Sequence, residues 1–166
     1  MPKPKTSTKA PFIQAVVHAT DFSAAAERAF AHALGVALFT RAELAILHVA
    51  SGKSSDWRGF PAVRETLERW RLLESGSSRA AVFEELGVSV TKIGLQSRFP
   101  ALAVTEYLSQ RPADLLVVAT EGRDGVARWL RGSIAEAMAR WSRTMTLFVP
   151  ADSDHDVVAL ADGNIT

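Results

Sequence analysis

The residues of this 166-residue chain best suited to chemistry lie between Ala119 and Ile134, where Gly122, Gly125 and Gly132 lead to Ser133. A helix opening at Ser133 would point unpaired backbone N–H groups and a hydroxyl at an anion. Gly132 would let an oxygen approach the backbone with no Cβ in between. The chemistry of that arrangement is phosphate binding. By its glycines alone the stretch also fits an ordinary surface loop in which Ser133 caps the helix. The chain has no G-x-x-x-x-G-K-S/T, G-x-G-x-x-G or G-x-S-x-G, so Walker ATPases, dinucleotide-binding folds and elbow-type serine hydrolases lose their usual support.

Asp21, in the polar run Thr20-Asp21-Phe22-Ser23, is a second candidate. A carboxylate there can contact a ligand or bond its own backbone as a turn residue. His18 and His48 fall near the ends of two apolar runs, which invites a metal or acid–base role. With His32 in a helical stretch, His155 near the C-terminus and no acidic partner at ligand spacing, they read as structural. Trp57, Trp70, Trp129 and Trp141 read as core or interface anchors, since no basic stripe surrounds them. The absence of cysteine excludes disulfides, thiolate metal sites and cysteine nucleophiles.

These residues need a scaffold, and hydrophobic periodicity supplies one. Residues 13–19, 43–50, 88–95, 115–119 and 145–149 read as strands, and 115–119 is an uncharged run fit for a strand covered on both faces. Between them, Ser23 caps a helix of about four turns carrying Phe30, Ala33, Leu34, Ala37 and Leu38 on one side. A helical stretch spans 61–86 with an interruption at 75–78 and a stop at Gly87. Pro100 opens another helix, and a last one runs from 133 to about 141. Strict alternation of strand and helix predicts an α/β fold, a single-domain open five-stranded parallel sheet with helices on both faces. Ligands in such sheets bind beyond the carboxyl ends of the strands, where strand order reverses. If the first and fourth strands are neighbours, the positions to watch are Asp21, Val49 and the stretch after Ala119.

Length and charge narrow the function classes. One domain accommodates 166 residues, and 48% hydrophobic with 22% charged residues is ordinary globular composition. A formal net charge of +1 provides no field to draw nucleic acid or an anionic membrane, so neither is an expected partner. The division expected is a basic arm over 1–11, a domain over 12–150 and an acidic tail over 151–166. No apolar stretch after the early lysines could serve as a signal-peptide core and no run approaches a membrane span, which makes the cytoplasm the expected address.

The strand end His18-Ala19-Thr20-Asp21-Phe22-Ser23 with its Ala-rich helix, the Leu47-His48-Val49 strand end, and the glycine loop resemble the universal stress protein family in order and spacing, over roughly 13–149. The resemblance implies an adenine nucleotide alpha hydrolase-like fold. In the nucleotide-binding branch the loop reads G-x-x-G-x9-G-S/T; Gly122, Gly132 and Ser133 match it, and Ala119 replaces the first glycine. Carried over, Asp21 would contact the adenine or neighbouring groups and Val49 would line the adenine pocket with its backbone. Gly122, Gly132 and Ser133 would hold phosphates, with Ile134 next in the same stretch. The ligand implied is ATP or another adenine nucleotide such as AMP, with Mg2+ accompanying ATP. Three departures bear on binding: a methyl at Ala119, and the carboxylates of Glu121 and Asp124, which Arg123, Arg128 and Arg131 could compensate. With no general base, nucleophile pair or metal set visible, action through the bound state is expected, with slow ATP hydrolysis at most. The alternative is a homodimeric interaction scaffold that binds no nucleotide. In either case a dimer through the apolar final strand is expected.

Overall fold

The computed structural model describes residues 12–52, 57, 62–120 and 135–151. Its elements are β1 (Ala15–Thr20), α1 (Ala24–Thr40), β2 (Glu43–Ala50), α2 (Val63–Arg69), α3 (Ala81–Leu86), β3 (Val90–Gln96), α4 (Pro100–Gln110), β4 (Leu115–Ala119), α5 (Ala135–Ser142) and β5 (Met145–Val149). Every strand pairing is parallel, in the order β3-β2-β1-β4-β5. The chain moves outward from β1 through β2 to β3, then returns to the other side of β1 for β4 and β5. Right-handed crossovers running in opposite directions place their helices on opposite faces. One apolar cluster accordingly joins α1, α2 and α3 to the sheet through Phe30, Leu34, Leu67 and Val82, and a second joins α4 and α5 through Val104, Leu108 and Met138.

The alternation of side chains along a strand feeds both clusters. In β4, Leu115, Val117 and Ala119 enter the first cluster and Leu116 and Val118 the second, and all five are buried. Helix α1 forms because Ser23, extended at ψ 164°, accepts from the Ala26 N–H through its hydroxyl, and alanines at helical spacing let the helix lie close on β1 and β4. It ends at Arg41, which takes the left-handed conformation at φ 56°. At the amino end of the sheet Asp114 Oδ2 accepts from the N–H groups of Gln14 and Ala15 at 2.8 and 3.0 Å, tying the start of β1 to the start of β4.

The α/β architecture expected from the periodicity is the one observed, with the first and fourth strands adjacent. Differences are local. The helical stretch over 61–86 is two short helices, and its first helix stops at Arg69, before the 75–78 interruption. Arg71 turns at φ 59°, and Trp70 and Leu73 drop into the core under α1. Burial of those two side chains ends the helix where no glycine or proline marks the place. The third strand begins at Val90, and Val88 ahead of it is buried under the same helices.

Candidate functional site

In this strand order the reversal lies between β1 and β4, so the crevice beyond their carboxyl ends is where the fold places a ligand. The register shows what gathers there. Thr20 faces His48 across β1 and β2, and Ala19 faces Val118 across β1 and β4. Asp21, Val49 and Ala119 thus come one step along from these pairs, at the rim of three adjacent strands spaced about 4.8 Å apart. Gly122, Gly132, Ser133 and Ile134, together with Glu121 and Asp124, lie outside the described residues.

The loop leaving β1 is held by its own side chains. Thr20 Oγ1 accepts from the Phe22 N–H at 3.1 Å, and Asp21 Oδ1 accepts from the Ser23 N–H at 3.0 Å. The turn role open to Asp21 is therefore realised. A carboxylate offers up to about four acceptor positions, so this bond is compatible with a ligand donor at the same group. Between the two turns Phe22 adopts φ 63°, a conformation that costs a non-glycine residue about 1–3 kcal/mol and persists where its surroundings over-determine it.

Those surroundings are aromatic. The Phe22 ring stacks on His48 with centroids 3.9 Å apart and planes 21° apart, and Trp57 stands edge-on to Phe22 at 5.1 Å. His48 Nδ1 lies 2.9 Å from the Thr20 carbonyl oxygen. Because a carbonyl can only accept, Nδ1 carries the proton and the ring orientation is fixed from below. Lys92, on the edge strand β3, places Nζ 5.6 Å from the Trp57 ring centroid. The polar rim of β1 and β2 is thereby roofed by a Phe–His–Trp group that periodicity does not reveal. The trace in the sequence is an aromatic and a histidine each set at a strand end; Trp57 joins them only through folding.

The other two named positions are less open. Val49 is half-buried, pairs with Leu95 and packs toward α4. Ala119 is buried in the cluster beneath α1, so its methyl is engaged in packing, and the next N–H, of Thr120, bonds the Val149 carbonyl at 3.0 Å. His18 lies deeper on β1. It has no solvent exposure, its Nδ1 donates to the Val117 carbonyl at 3.1 Å, and burial pushes its pKa down to about 4, so it is neutral at pH 7. Among the described residues no group of three or more His, Asp or Glu side chains could hold a metal ion, and no helix is long and apolar enough to cross a membrane.

Known proteins place the chain. A universal stress protein of Methanocaldococcus jannaschii is 30% identical over 139 residues, covering 81% of this chain and 80% of that protein. A universal stress protein solved in complex with cAMP is similar over 84% of this chain and 98% of its own, at 27% identity and a TM-score of 0.55. The universal stress protein from Archaeoglobus fulgidus in complex with dAMP shares the fold at 16% identity and a TM-score of 0.51, over 83% of this chain and 98% of that one. Residues 13–150 match the universal stress protein family, and the chain belongs to it.

Proposed function

We propose that this protein binds an adenine nucleotide, ATP or AMP, beyond the carboxyl ends of β1 and β4 and acts as a regulatory or interaction module through its bound state. The observation that carries the reading is the convergence of Asp21, Val49 and Ala119 on one rim at the point of strand reversal. The 27%-identical relative solved with cAMP supports the same ligand class. In this reading Gly122, Gly132, Ser133 and Ile134 supply the phosphate end, and Mg2+ accompanies ATP. The test is mass spectrometry of nucleotide released on denaturing the purified protein, followed by calorimetric titration with ATP, AMP and cAMP. Saturable binding of one nucleotide per chain is expected. No released nucleotide and no heat at millimolar concentrations would overturn it.

Asp21 sharpens the test. Asp21→Asn keeps an oxygen to accept from the Ser23 N–H, so the turn survives while the charge goes. Affinity should fall roughly tenfold if the carboxylate receives a ligand hydrogen bond, since bonds to charged groups are worth about 1.5–3 kcal/mol. Unchanged affinity would confine Asp21 to its turn.

A second reading is favoured by one surface. The edge strand β5 and the helix before it leave Trp141 56%, Met145 50%, Leu147 37% and Phe148 40% exposed. An apolar edge is an aggregation hazard that a two-fold partner would cover, as in a homodimeric interaction scaffold that binds no nucleotide. Light scattering at tens of micromolar should report a dimer; a monomer there would count against it.

A further inference from the structure

At the amino end of the sheet, opposite the rim, a cavity of about 300 Å³ lies between β1, β2, β3 and the end of α4. Its floor follows from the strand register. Ala15 pairs with Glu43, and Ser89 lies on the other side of β2, its carbonyl accepting from the Leu44 N–H at 2.8 Å. Two residues along, Val17 pairs with Ala45 and Ala45 with Thr91. Side chains two apart on a strand share a face, so both rows turn toward α4, where Val17 and Ala45 join the cluster that Tyr107 and Ala113 pack against. Ala15, Ala45, Ser89 and Thr91 are too short to fill the space beneath the helix end, and the cavity results.

Its walls carry one charge of each sign. Glu43 rises from the floor, and Arg111, the C-cap of α4, enters from the roof. Among the described residues, neither the Glu43 carboxylate nor the Arg111 guanidinium takes part in an ion pair. Arg111 Cζ lies 6.0 Å from the Tyr107 ring centroid, at the outer limit of a cation–π contact. Such a contact uses the face of the planar guanidinium and leaves its N–H edges available to a carboxylate. The nearby Asp114 is tied elsewhere, its Oδ2 accepting from the N–H groups of Gln14 and Ala15.

We infer that this cavity binds a small zwitterionic α-amino acid, its carboxylate on the N–H edge of Arg111, its ammonium on Glu43 and a short side chain over the floor of small residues. The pair of charges selects the class. A simple anion meets repulsion from Glu43 and a simple cation meets it from Arg111, whereas a ligand with one charge of each sign satisfies both. Arginine recognises a carboxylate through two parallel hydrogen bonds, and the hydroxyls of Ser89 and Thr91 are acceptors for the ammonium hydrogens that Glu43 does not take. Sites for small organic ligands occupy roughly 300–1,000 Å³, and a volume at the low end restricts the side chain to a few atoms. The site lies at the other end of the strands from the rim of β1 and β4, and the inference does not rest on nucleotide binding.

The test is calorimetric titration of the full chain with L-serine, beside N-acetyl-L-serine, which lacks the ammonium, L-serinamide, which lacks the carboxylate, and L-tryptophan, which is too large. L-serine should bind saturably at one per chain, and each of the other three at least about tenfold more weakly. Glu43→Gln and Arg111→Gln should each lose at least about tenfold in L-serine affinity. In the unaltered protein, L-serine should shift the methyl resonances of Ala15, Ala45 and Thr91, a readout that holds even if a variant folds poorly. No binding of L-serine, equal binding of either blocked analogue or of L-tryptophan, undiminished affinity in a folded variant, or methyl shifts elsewhere would each overturn the proposal.

Discussion

His18 and Phe22 stand four residues apart along one stretch of chain and are held by different physics. His18 is sealed on the sheet beneath α1, its ring 6.2 Å from Phe30, with the Val117 carbonyl as a hydrogen-bond acceptor. Phe22 sits at the rim in a left-handed conformation, kept there by two side-chain-to-backbone bonds around it and by stacking on His48 and Trp57. The interior is set by many apolar contacts that all demand the same arrangement. At the rim a few interactions, each worth about 1 kcal/mol, oppose a backbone cost of similar size. Such a balance lets a rim change shape or chemistry while the sheet beneath it stays folded, and ligand-binding segments are drawn from regions of that kind.

The contrast predicts unequal responses to substitution. The largest belongs to Phe30, which is fully buried between α1 and the sheet: Phe30→Ala should cost about 3–5 kcal/mol, read as a lower urea midpoint. A loss below about 1 kcal/mol would mean that the interior is as forgiving as the rim.

Next is the acid response of His18. Its pKa is about 4 in the folded chain and near 6.5 when unfolded. Between those values the unfolded chain binds a proton that the folded chain refuses, so this group's full contribution is present above pH 6.5. It is lost as pH falls through the window, and nothing further is lost below pH 4. The span is about 3 kcal/mol at most. Urea unfolding at pH 7.0, 5.5 and 4.5 should show stability declining, and His18→Leu should flatten that part of the decline. An equal decline in the variant would place the acid sensitivity elsewhere.

How far these two regions are legible in the sequence follows from the same physics. The uncharged run 115–119, the bounds of the strands at 43–50 and 145–149, and the Ser23 cap are readable because period, burial and capping are local signals that agree. The end of α2 is not, because Trp70 and Leu73 are drawn into a core whose other members lie elsewhere in the chain. At the rim, Asp21 and Val49 can be placed by resemblance and by the rule for parallel sheets. The stacking of Phe22, His48 and Trp57, and the approach of Lys92, depend on which loops meet in space, and no periodicity encodes that. The burial of the Ala119 methyl is similar: its position at a strand end is legible, and the face it takes is settled by the register with β1 and β5.

The smallest expected effect is the most discriminating for the rim. At an ordinary position alanine is more favourable than glycine by roughly 0.5–1 kcal/mol, because glycine loses more conformational freedom on folding. At φ 63° the order should invert. Phe22→Ala removes the stacking on His48 and Trp57 yet keeps a Cβ in the left-handed region, whereas Phe22→Gly removes the same stacking and also the steric cost, about 1–2 kcal/mol for an L-residue. Relief of that cost exceeds the entropic penalty of glycine by a narrow margin, so Phe22→Gly should unfold at a urea midpoint equal to or slightly above that of Phe22→Ala, with both below the parent. Chain stiffness alone would favour alanine. If Phe22→Ala is clearly the more stable variant, the backbone has relaxed out of the left-handed region once the ring is gone. The aromatic stack, and not the paired turns at Thr20 and Asp21, would then be what holds the conformation of the rim.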